Sequence, residues 1–328
     1  MTSDVEKDEV SFKGQPHRVK GRGFRIPLAE RLRASRRVPQ AIVKVTGFSH
    51  GLHQVLTQFN YISRKGSLPL EKDTGEILSE RESLEELATA WSVDFDTRIR
   101  SRDTASIVFS MPRGSNVEAL RRAVRAVGAR AFPDHEWVFG IHQDRDYPHA
   151  HMIVKMRGRE GEKKLRLRKP DLYRLREMYA EAAREEGVQL AVSPRAARGV
   201  SNKGLKQAAY HLRKKGKSTG ISKAGPELKK DPQVQKSMEL AIAARHKHEV
   251  DAYFAEARAL RQTALSRQGK DQEKLRNAAK ELEEYARSFP AAYIREKDRE
   301  EILDKANTST AKKGENGSTR ANGVEMER

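Results

Sequence analysis

The stretch IHQDRDYPHAH, residues 141–151, contains three of the ten histidines of the chain, with two aspartates between them. Its pattern predicts a strand ending at His142, a tight turn, and a second strand on which His149 and His151 face the same side, because strand side chains alternate. Antiparallel pairing would place His142 beside that pair. Three imidazoles that leave coordination positions open are typical of a catalytic metal site. We therefore predict that His142, His149 and His151 bind a metal ion.

Two aspartates in the predicted turn, Asp144 and Asp146, have two possible roles. They can accept hydrogen bonds that fix the imidazole tautomers, or one of them can act as a general base. The residues alone do not distinguish these roles. They do not identify the ion either, because imidazole ligands suit Zn, Mn, Fe, Co or Ni better than Mg.

A candidate nucleophile, Tyr61, lies within the segment GLHQVLTQFNYISRKG. On a helix, the apolar side chains of this segment fall on one face, which should pack on the sheet, and Tyr61 falls on the opposite face. Arg64 and Lys65 follow it and could hold a phosphate, which would lower the cost of forming a phenolate. The alternative is an ordinary surface tyrosine. The apolar stripe consists of Leu52, Val55, Leu56, Phe59 and Ile62.

The elements that must position these groups can be read from the hydrophobic periodicity. Four segments predict strands: AIVKVTGF, ASIVFSMP, EWVFGIHQD and PHAHMIVKM. Helices are predicted from about Ser49 to Ser63, within residues 71–95, from an Asn116 cap to residue 132, and over residues 169–187. Since the last two strands are joined by a tight turn, the sheet is at least partly antiparallel and the fold class is α+β.

The composition favours a polyanionic partner. The chain has 65 Lys and Arg against 46 Asp and Glu, a net charge of +19, which favours nucleic acid over a membrane surface. It has no cysteine, which excludes disulfides and thiolate metal sites. No signal-peptide pattern and no long apolar stretch is present, so we expect a soluble, cytoplasmic protein without membrane insertion.

Changes in composition predict four regions. Residues 1–40 form an acidic and then basic arm, which we expect to be mostly flexible and to order on DNA, or else to serve as a solubilising tail. Residues 41–204 form the domain that carries the histidines. Residues 205–307 comprise a basic linker and a helical region, with RQGKDQ as a possible turn between helices. Residues 308–328 form a disordered tail by composition.

Four motifs, FNYISRKG, SIVFSMP, HQDRDYPHAHMIV and SPRAARGV, occur in this order in the chain. Together they resemble the conjugative relaxases, the mobilisation nucleases of the HUH endonuclease superfamily, and most closely the VirD-type members that nick T-DNA borders. The resemblance covers about residues 40–205. It implies a five-stranded antiparallel sheet with flanking helices and with the histidines on its central strands. It also implies that Tyr61 is the nucleophile and that the three histidines bind Mg or Mn.

The resemblance further implies a function. The enzyme would nick and rejoin single-stranded DNA at an origin of transfer, with strand specificity and without ATP, through a 5′-phosphotyrosyl adduct. Contacts with the DNA are expected from Arg64, Lys65, Arg195 and Arg198. Relaxosome accessory proteins and a type IV secretion coupling protein would be partners, and the protein would be exported to the recipient cell while covalently bound to DNA.

Two positions depart from the family pattern. Lys155 stands where many relaxases have Asn, and Tyr147 stands where close relatives often have a further His. Three other functions were considered. In a rolling-circle replication initiator the nucleophilic tyrosine follows the histidine pair, whereas Tyr61 precedes it. A hydrolase that activates water would not need Tyr61, and a non-catalytic DNA-binding accessory protein would not need three histidines.

Overall fold

The computed structural model describes residues 26–98, 101–159, 164–200 and 232–289. The chain divides into two compact units, residues 1–193 and residues 194–328, and each is described by itself. Three predicted segments lie outside the described residues: the first 25 residues of the arm, most of the basic linker, and the tail from residue 308.

An antiparallel sheet of six strands forms the centre of the first unit. Its spatial order is β1-β4-β6-β5-β2-β3, so the two histidine-bearing strands, β5 and β6, are adjacent and central. The predicted α+β class and the antiparallel arrangement are confirmed. The strands are β1 Ile42–Ser49, β2 Leu70–Lys72, β3 Ile77–Leu78, β4 Thr104–Ser110, β5 Trp137–His142 and β6 His149–Lys155.

The strand count differs from the five that the resemblance implied, and the sequence patterns had predicted only four. The two missed strands, β2 and β3, are three and two residues long. Segments of this length are too short to show an alternating hydrophobic pattern. They form a hairpin that joins the sheet by pairing Glu71 with Phe139 of β5.

The described residues of the first unit form five helices, and four of them, α2 to α5, cover the two faces of the sheet. One face packs on α4 and α5 through residues that include Phe109, Met152 and Tyr179. The other packs on α2 and α3 through residues that include Phe59, Trp91 and Ile153. Because β6 alternates its side chains, it contributes to both cores. The helices are α1 Leu28–Ser35, α2 Gly51–Ile62, α3 Arg81–Ser92, α4 Val117–Ala131 and α5 Lys169–Glu185.

The helix starts follow their caps. Asn116 caps α4 as predicted, since its side-chain oxygen accepts the Glu118 N–H at 2.8 Å. The N-cap of α2 is His50, one residue after Ser49, where the helix was predicted to begin with a cap, because Ser49 still pairs with Thr104 in the sheet. The buried carboxylate of Asp103 caps this helix by accepting the Gly51 N–H at 2.9 Å.

Residues 26–40, the described part of the predicted arm, are structured. Helix α1 buries Ala34, and its Glu30 carboxylate accepts the backbone N–H of Val192 at 2.6 Å. Gln40 forms a parallel bridge with Ala191. The expectation of a flexible arm is therefore wrong for these residues, since their apolar and acidic side chains find partners within the first unit.

The second unit contains a 3₁₀ turn, Ala196–Arg198, and two long helices, α6 Pro232–Leu265 and α7 Gly269–Arg287. The helices form a hairpin whose turn lies in the predicted RQGKDQ segment. Tyr253 packs edge-on against Tyr285, with ring centroids 5.4 Å apart, and its hydroxyl donates to the Ala197 carbonyl at 2.8 Å. Within the described residues, no helix is long and apolar enough to cross a membrane.

Candidate metal centre and nuclease site

The sheet register brings the three predicted histidines together. His142 of β5 pairs directly with His149 of β6, and His151 pairs with Gly140. One ring nitrogen from each histidine lies within 4.8 Å of the other two. Such a spacing lets three nitrogens coordinate one ion on one face of the sheet.

Two backbone carbonyls set the tautomers of two of the three histidine rings. His142 Nε2 lies 2.8 Å from the Ile62 carbonyl, so Nε2–H donates and Nδ1 keeps its lone pair. His149 Nδ1 lies 3.3 Å from the Tyr147 carbonyl, which leaves Nε2 with the lone pair. The tautomers of His142 and His149 are thus set by backbone carbonyls, whereas Asp144 and Asp146 were the acceptors predicted from the sequence.

The electrostatics of the three rings favour their neutral form. Burial lowers the pKa of His142 and of His149 below the usual value. Burial, together with the neighbouring histidines, lowers the pKa of His151 to about 3. Neutral imidazoles have lone pairs available at neutral pH, so the donor set fits a divalent ion.

Tyr61 lies beside this cluster on the last turn of α2. Its ring centroid is 5.3 Å from that of His151 and 6.1 Å from that of His142, edge-on in both cases. The side chain is 48% exposed, as the helical periodicity predicted, while Phe59 and Ile62 on the opposite face are buried. An accessible phenol therefore lies next to the proposed metal ligands.

The turn after α2 holds Arg64 in an uncommon conformation. Arg64, Lys65 and Gly66 have φ values of 53°, 59° and 88°. The Lys65 N–H donates to Asn60 O at 2.7 Å and the Arg64 N–H to Tyr61 O at 3.3 Å, the pattern of a Schellman motif. Arg64 therefore occupies the position where glycine is usual. A left-handed non-glycine residue of this kind often marks a functional site.

The Arg64 side chain reaches into the histidine cluster. Its guanidinium forms an ion pair with Asp144, and its Nη2 lies 3.2 Å from His142 Nδ1. The guanidinium carbon is also 5.5 Å from the Tyr61 ring centroid. Lys65, the other predicted phosphate ligand in this turn, is exposed. A cation thus lies beside both the phenol and the histidine cluster.

The two predicted aspartates lie in different surroundings. Asp144 contacts Arg64, and its Oδ1 lies 3.8 Å from His149 Nε2. Asp146 is exposed and lies 3.9 Å from Arg113. The structure therefore brings Asp144 to the edge of the histidine cluster. Among the described residues, the ionic contact of Asp146 is with Arg113.

The other predicted DNA-contacting residues, Arg195 and Arg198, belong to the second unit. Arg195 is exposed, and burial lowers the pKa of the half-buried Arg198 guanidinium. The departure at Lys155 lies at the end of β6 opposite to His149. There the buried Lys155 ammonium donates to Asp94 at 2.7 Å and to Glu136 at 2.9 Å, so it belongs to a separate ionic cluster.

Lys44, an exposed residue of β1, was not predicted from the sequence to lie near the site. Lys44 pairs with Val108 of β4, which pairs with His151 of β6, so all three share one face of the sheet. Two strand spacings put the Lys44 and His151 backbones about 10 Å apart. A lysine in the middle of an otherwise apolar strand was the signal that could have found it.

Comparisons with known proteins agree with this geometry. Residues 61–188 match the family model described as relaxase, MobA/VirD2-like, nuclease domain. The chain is 30% identical over 193 residues to the T-DNA border endonuclease VirD2 of Agrobacterium fabrum (strain C58 / ATCC 33970), which covers 52% of this chain and 43% of that protein. It is 28% identical to the VirD2 of Rhizobium radiobacter, again over 52% of this chain and 46% of the relative.

The chain thus spans less than half the length of these curated relatives. The matched segment nevertheless includes Tyr61 and the three histidines. Residues 61–188, which carry this site, are therefore similar to the MobA/VirD2-like relaxase nuclease domain and to the VirD2 endonucleases.

Proposed function

We propose that the protein nicks and rejoins one strand of DNA at an origin of transfer by transesterification, with Tyr61 as the nucleophile. The observation that carries the proposal is the position of the exposed Tyr61 ring, 5.3 Å from the ring of His151. A water-activating hydrolase has no need of a phenol beside its ligands. A non-catalytic accessory protein has no need of the three neutral imidazoles.

The proposed reaction exchanges one phosphodiester for another. The Tyr61 oxygen forms a bond with phosphorus, the bond from phosphorus to the 3′ oxygen breaks, and the strand leaves with a 3′-hydroxyl. The 5′ end of the downstream fragment stays joined to the protein as a phosphotyrosyl ester. The phenol loses a proton and the leaving oxygen gains one. Since an ester bond is retained, the reverse reaction rejoins the strand without ATP.

The charged residues of the site have separate proposed roles. The Arg64 guanidinium would donate to a phosphate oxygen, because it lies between Tyr61 and His142 and can exchange its Asp144 partner for the substrate. Asp144 would hold Arg64 in place until substrate binds and, because it lies at the edge of the histidine cluster, is the first candidate for accepting the phenolic proton. Asp146 is proposed only as an alternative proton acceptor. Lys65 and Lys44 would contact the backbone of the strand.

His142, His149 and His151 would hold the divalent ion, which we propose to be Mn or Mg. When bound, such an ion offsets negative charge that develops on a phosphate oxygen during the reaction. Three imidazole donors favour Mn over Mg by ligand preference. Comparing the two ions in one cleavage assay would distinguish them.

The wider roles in transfer are also proposals. Accessory proteins would help to expose the single strand, and Arg195 and Arg198 would add contacts to its backbone. After nicking, a type IV secretion coupling protein would bind a segment within residues 308–328 and deliver the adduct from the cytoplasm to the recipient. Deleting that segment should reduce transfer between cells and leave nicking in solution unchanged.

The test is a cleavage assay on single-stranded oligonucleotides tiled across the transfer region of the parent element. Wild-type protein with Mn should give a cut strand and a covalent adduct that survives denaturing electrophoresis. Tyr61→Phe should remove both products, while DNA binding stays within a few-fold because binding depends on many phosphate contacts.

Tyr147→Phe is the matched control, since Tyr147 is 40% exposed and lies 6.1 Å from the His149 ring. This variant should keep forming adduct. An adduct that persists in Tyr61→Phe and disappears in Tyr147→Phe would move the nucleophile to Tyr147. Cleavage without any adduct in the wild type would replace the proposal with a hydrolase that uses water.

A further inference from the structure

A groove of about 590 Å³ lies at the end of the sheet opposite to the histidines, and we call it the distal groove. Met156 lines it and follows β6 directly, whereas His149 begins that strand. Seven residues of extended chain separate the two positions by about 23 Å. The groove is also on the other face of the sheet, because Leu165 and Leu167 in its wall pack against the α4 and α5 core.

The charge of the distal groove is one-sided. Among the described residues that line it, five are cations and none is acidic. Arg98 is neutralised by its ion pair with Asp96. The other four cations are exposed: Arg102, Lys164, Arg166 and Arg168.

Nearby acids do not cancel this charge. Asp94 and Asp103 line the neighbouring cavity together with Asp96. Asp94 is paired with Lys155, and Asp103 accepts hydrogen bonds from Gly51 and Ser101. Lys155 offsets the charge of Asp94, and among the described residues the five cations that line the distal groove outnumber the three acids of the neighbouring cavity, so the local charge stays positive.

Three of these cations, Lys164, Arg166 and Arg168, occur at alternate positions, and we call them the cation ladder. Along the segment Lys164–Arg168, the cations at alternate positions are exposed, and Leu165 and Leu167 between them are half-buried against the core. In extended chain, alternate residues are about 6.6 Å apart. This repeat is comparable with the distance between successive phosphates of an extended nucleic-acid strand.

The fourth cation adds a flat surface. The Arg102 guanidinium carbon lies 4.3 Å from the centroid of the Phe48 ring, so the two planar groups are in contact. The guanidinium carbon lies over the Phe48 ring, and the Arg102 side chain is exposed. Arginine faces of this kind stack on unpaired bases, whose faces a duplex hides.

From this ladder and this stacked pair we infer that the distal groove is a second binding surface for single-stranded DNA, which holds the strand flanking the nick. The choice of DNA among polyanions rests on the proposed function. A membrane surface would not need the narrow ladder, and an acidic protein would not need the planar Arg102 surface. The groove would increase the affinity for long strands without taking part in the reaction.

The inference can be tested with full-length protein and two classes of oligonucleotide, one that covers only the nick region and one extended by flanking strand on either side. Binding is measured in chelator, so that no cleavage occurs, over a range of salt concentrations. The groove variant combines Lys164→Gln, Arg166→Gln and Arg168→Gln. For the extended strand, its log affinity should fall less steeply with log salt, by about 2 in slope, at about 0.7 per contact. Its nicking rate on the short strand should equal that of the wild type.

Arg81→Gln, Arg122→Gln, Arg130→Gln is the control, because it removes the same charge from exposed positions that do not line the distal groove. An equal loss in both triple variants, or an unchanged slope in the groove variant, would overturn the inference. Arg102→Lys keeps the charge but not the flat surface, so affinity should fall while the slope stays constant. Tighter binding of duplex than of single strand in the groove would also overturn it.

Failure of the groove and failure of the proposed function are distinguishable. If the wild type nicks the short strand but the groove variant binds the extended strand with an unchanged slope, only the inference is wrong. If no strand is nicked by the wild type, while the slope still depends on the groove residues, the proposed function is wrong and the distal groove remains a binding surface.

Discussion

The backbone carbonyl of Ile62 accepts a hydrogen bond from His142 Nε2 at 2.8 Å. Ile62 directly follows Tyr61 in the chain, so the helix that carries the proposed nucleophile is attached to a proposed metal ligand. This hydrogen bond fixes the tautomer of His142. It also fixes the distance between the C-terminal end of α2 and the sheet. Any change that moves this carbonyl should therefore affect the nucleophile and the metal site together.

Gly140 makes this close approach possible. A Cβ at position 140 would lie 3.0 Å from the Ile62 carbonyl oxygen and 2.7 Å from a methyl group of Leu70. Gly140→Ala should push the end of α2 away from the sheet and destabilise the fold by about 1–3 kcal/mol, the usual cost of overpacking. A displacement of a reacting group by about 1 Å can lower the rate by about 10²-fold. We therefore expect a shift of Tyr61 by a few tenths of an ångström to lower the nicking rate about tenfold.

Gly128→Ala is the control for this prediction. Its Cβ would lie 2.7 Å from the ring of Trp137, so it should destabilise the fold to a similar extent, but from α4 on the other face of the sheet. Unfolding midpoints and nicking rates are measured for both variants at a temperature where both are folded. Equal loss of nicking in the two variants would show that general destabilisation, and not the position of Ile62, is responsible.

Replacing Arg64 with glycine should favour the backbone conformation of the turn but slow nicking. Its φ of 53° lies in the left-handed region, where glycine is favoured over other residues by about 1 kcal/mol. Arg64→Gly and Arg64→Ala both remove the guanidinium, so both should nick slowly. Arg64→Gly should be more stable than Arg64→Ala by about 1 kcal/mol in denaturant unfolding. A wild-type nicking rate in either variant would exclude Arg64 as the proposed phosphate ligand.

Much of the site followed from local patterns. Strand alternation predicted that His149 and His151 share a face, and helical periodicity predicted that Tyr61 lies opposite the apolar stripe of α2. Both predictions are confirmed by the sheet register and by the exposure of Tyr61. They succeeded because each depends on the geometry of a single element or of one tight turn.

Other features depend on contacts between distant residues. The Ile62 carbonyl reaches His142 across 80 positions, and Lys44 shares the sheet face only because β1 pairs with β4. Two of the three left-handed residues in the turn after α2, Arg64 and Lys65, are not glycine, so their residue types do not predict this conformation. The strands β2 and β3 join the sheet through pairing with β5, which their own short sequences do not reveal.

Removing metal should not unfold the nuclease unit. The strands that carry the histidines are buried on both faces, by cores that include Met152 on one side and Ile153 on the other. Folding is therefore stabilised by apolar burial and does not depend on a bound ion, in contrast to a zinc finger. Chelator should abolish nicking and leave the circular dichroism spectrum and a cooperative thermal transition. Loss of the spectrum on chelation would mean that the ion is structural.

The lowered histidine pKa values predict that metal binding tolerates mild acid. Three ordinary imidazoles, with pKa values near 6.5, would each lose about tenfold in available lone pair at about pH 5.5, and together about 10³-fold in affinity. Here burial keeps the pKa of His151 at about 3 and lowers the pKa of His142 and His149. Mn affinity, measured by calorimetry at about pH 7.5 and about pH 5.5, should therefore fall by much less than 10³-fold.

The same shifts set the sign of the pH dependence of stability. Below pH 6.5 the unfolded chain binds protons that the folded site does not, so the free energy of unfolding should decrease as pH falls from about 6.5 to about 3. His151→Gln removes the most strongly shifted group and should flatten this dependence in denaturant titrations of the metal-free protein. A variant with the same slope as the wild type would show that His151 is protonated in the folded state over this range.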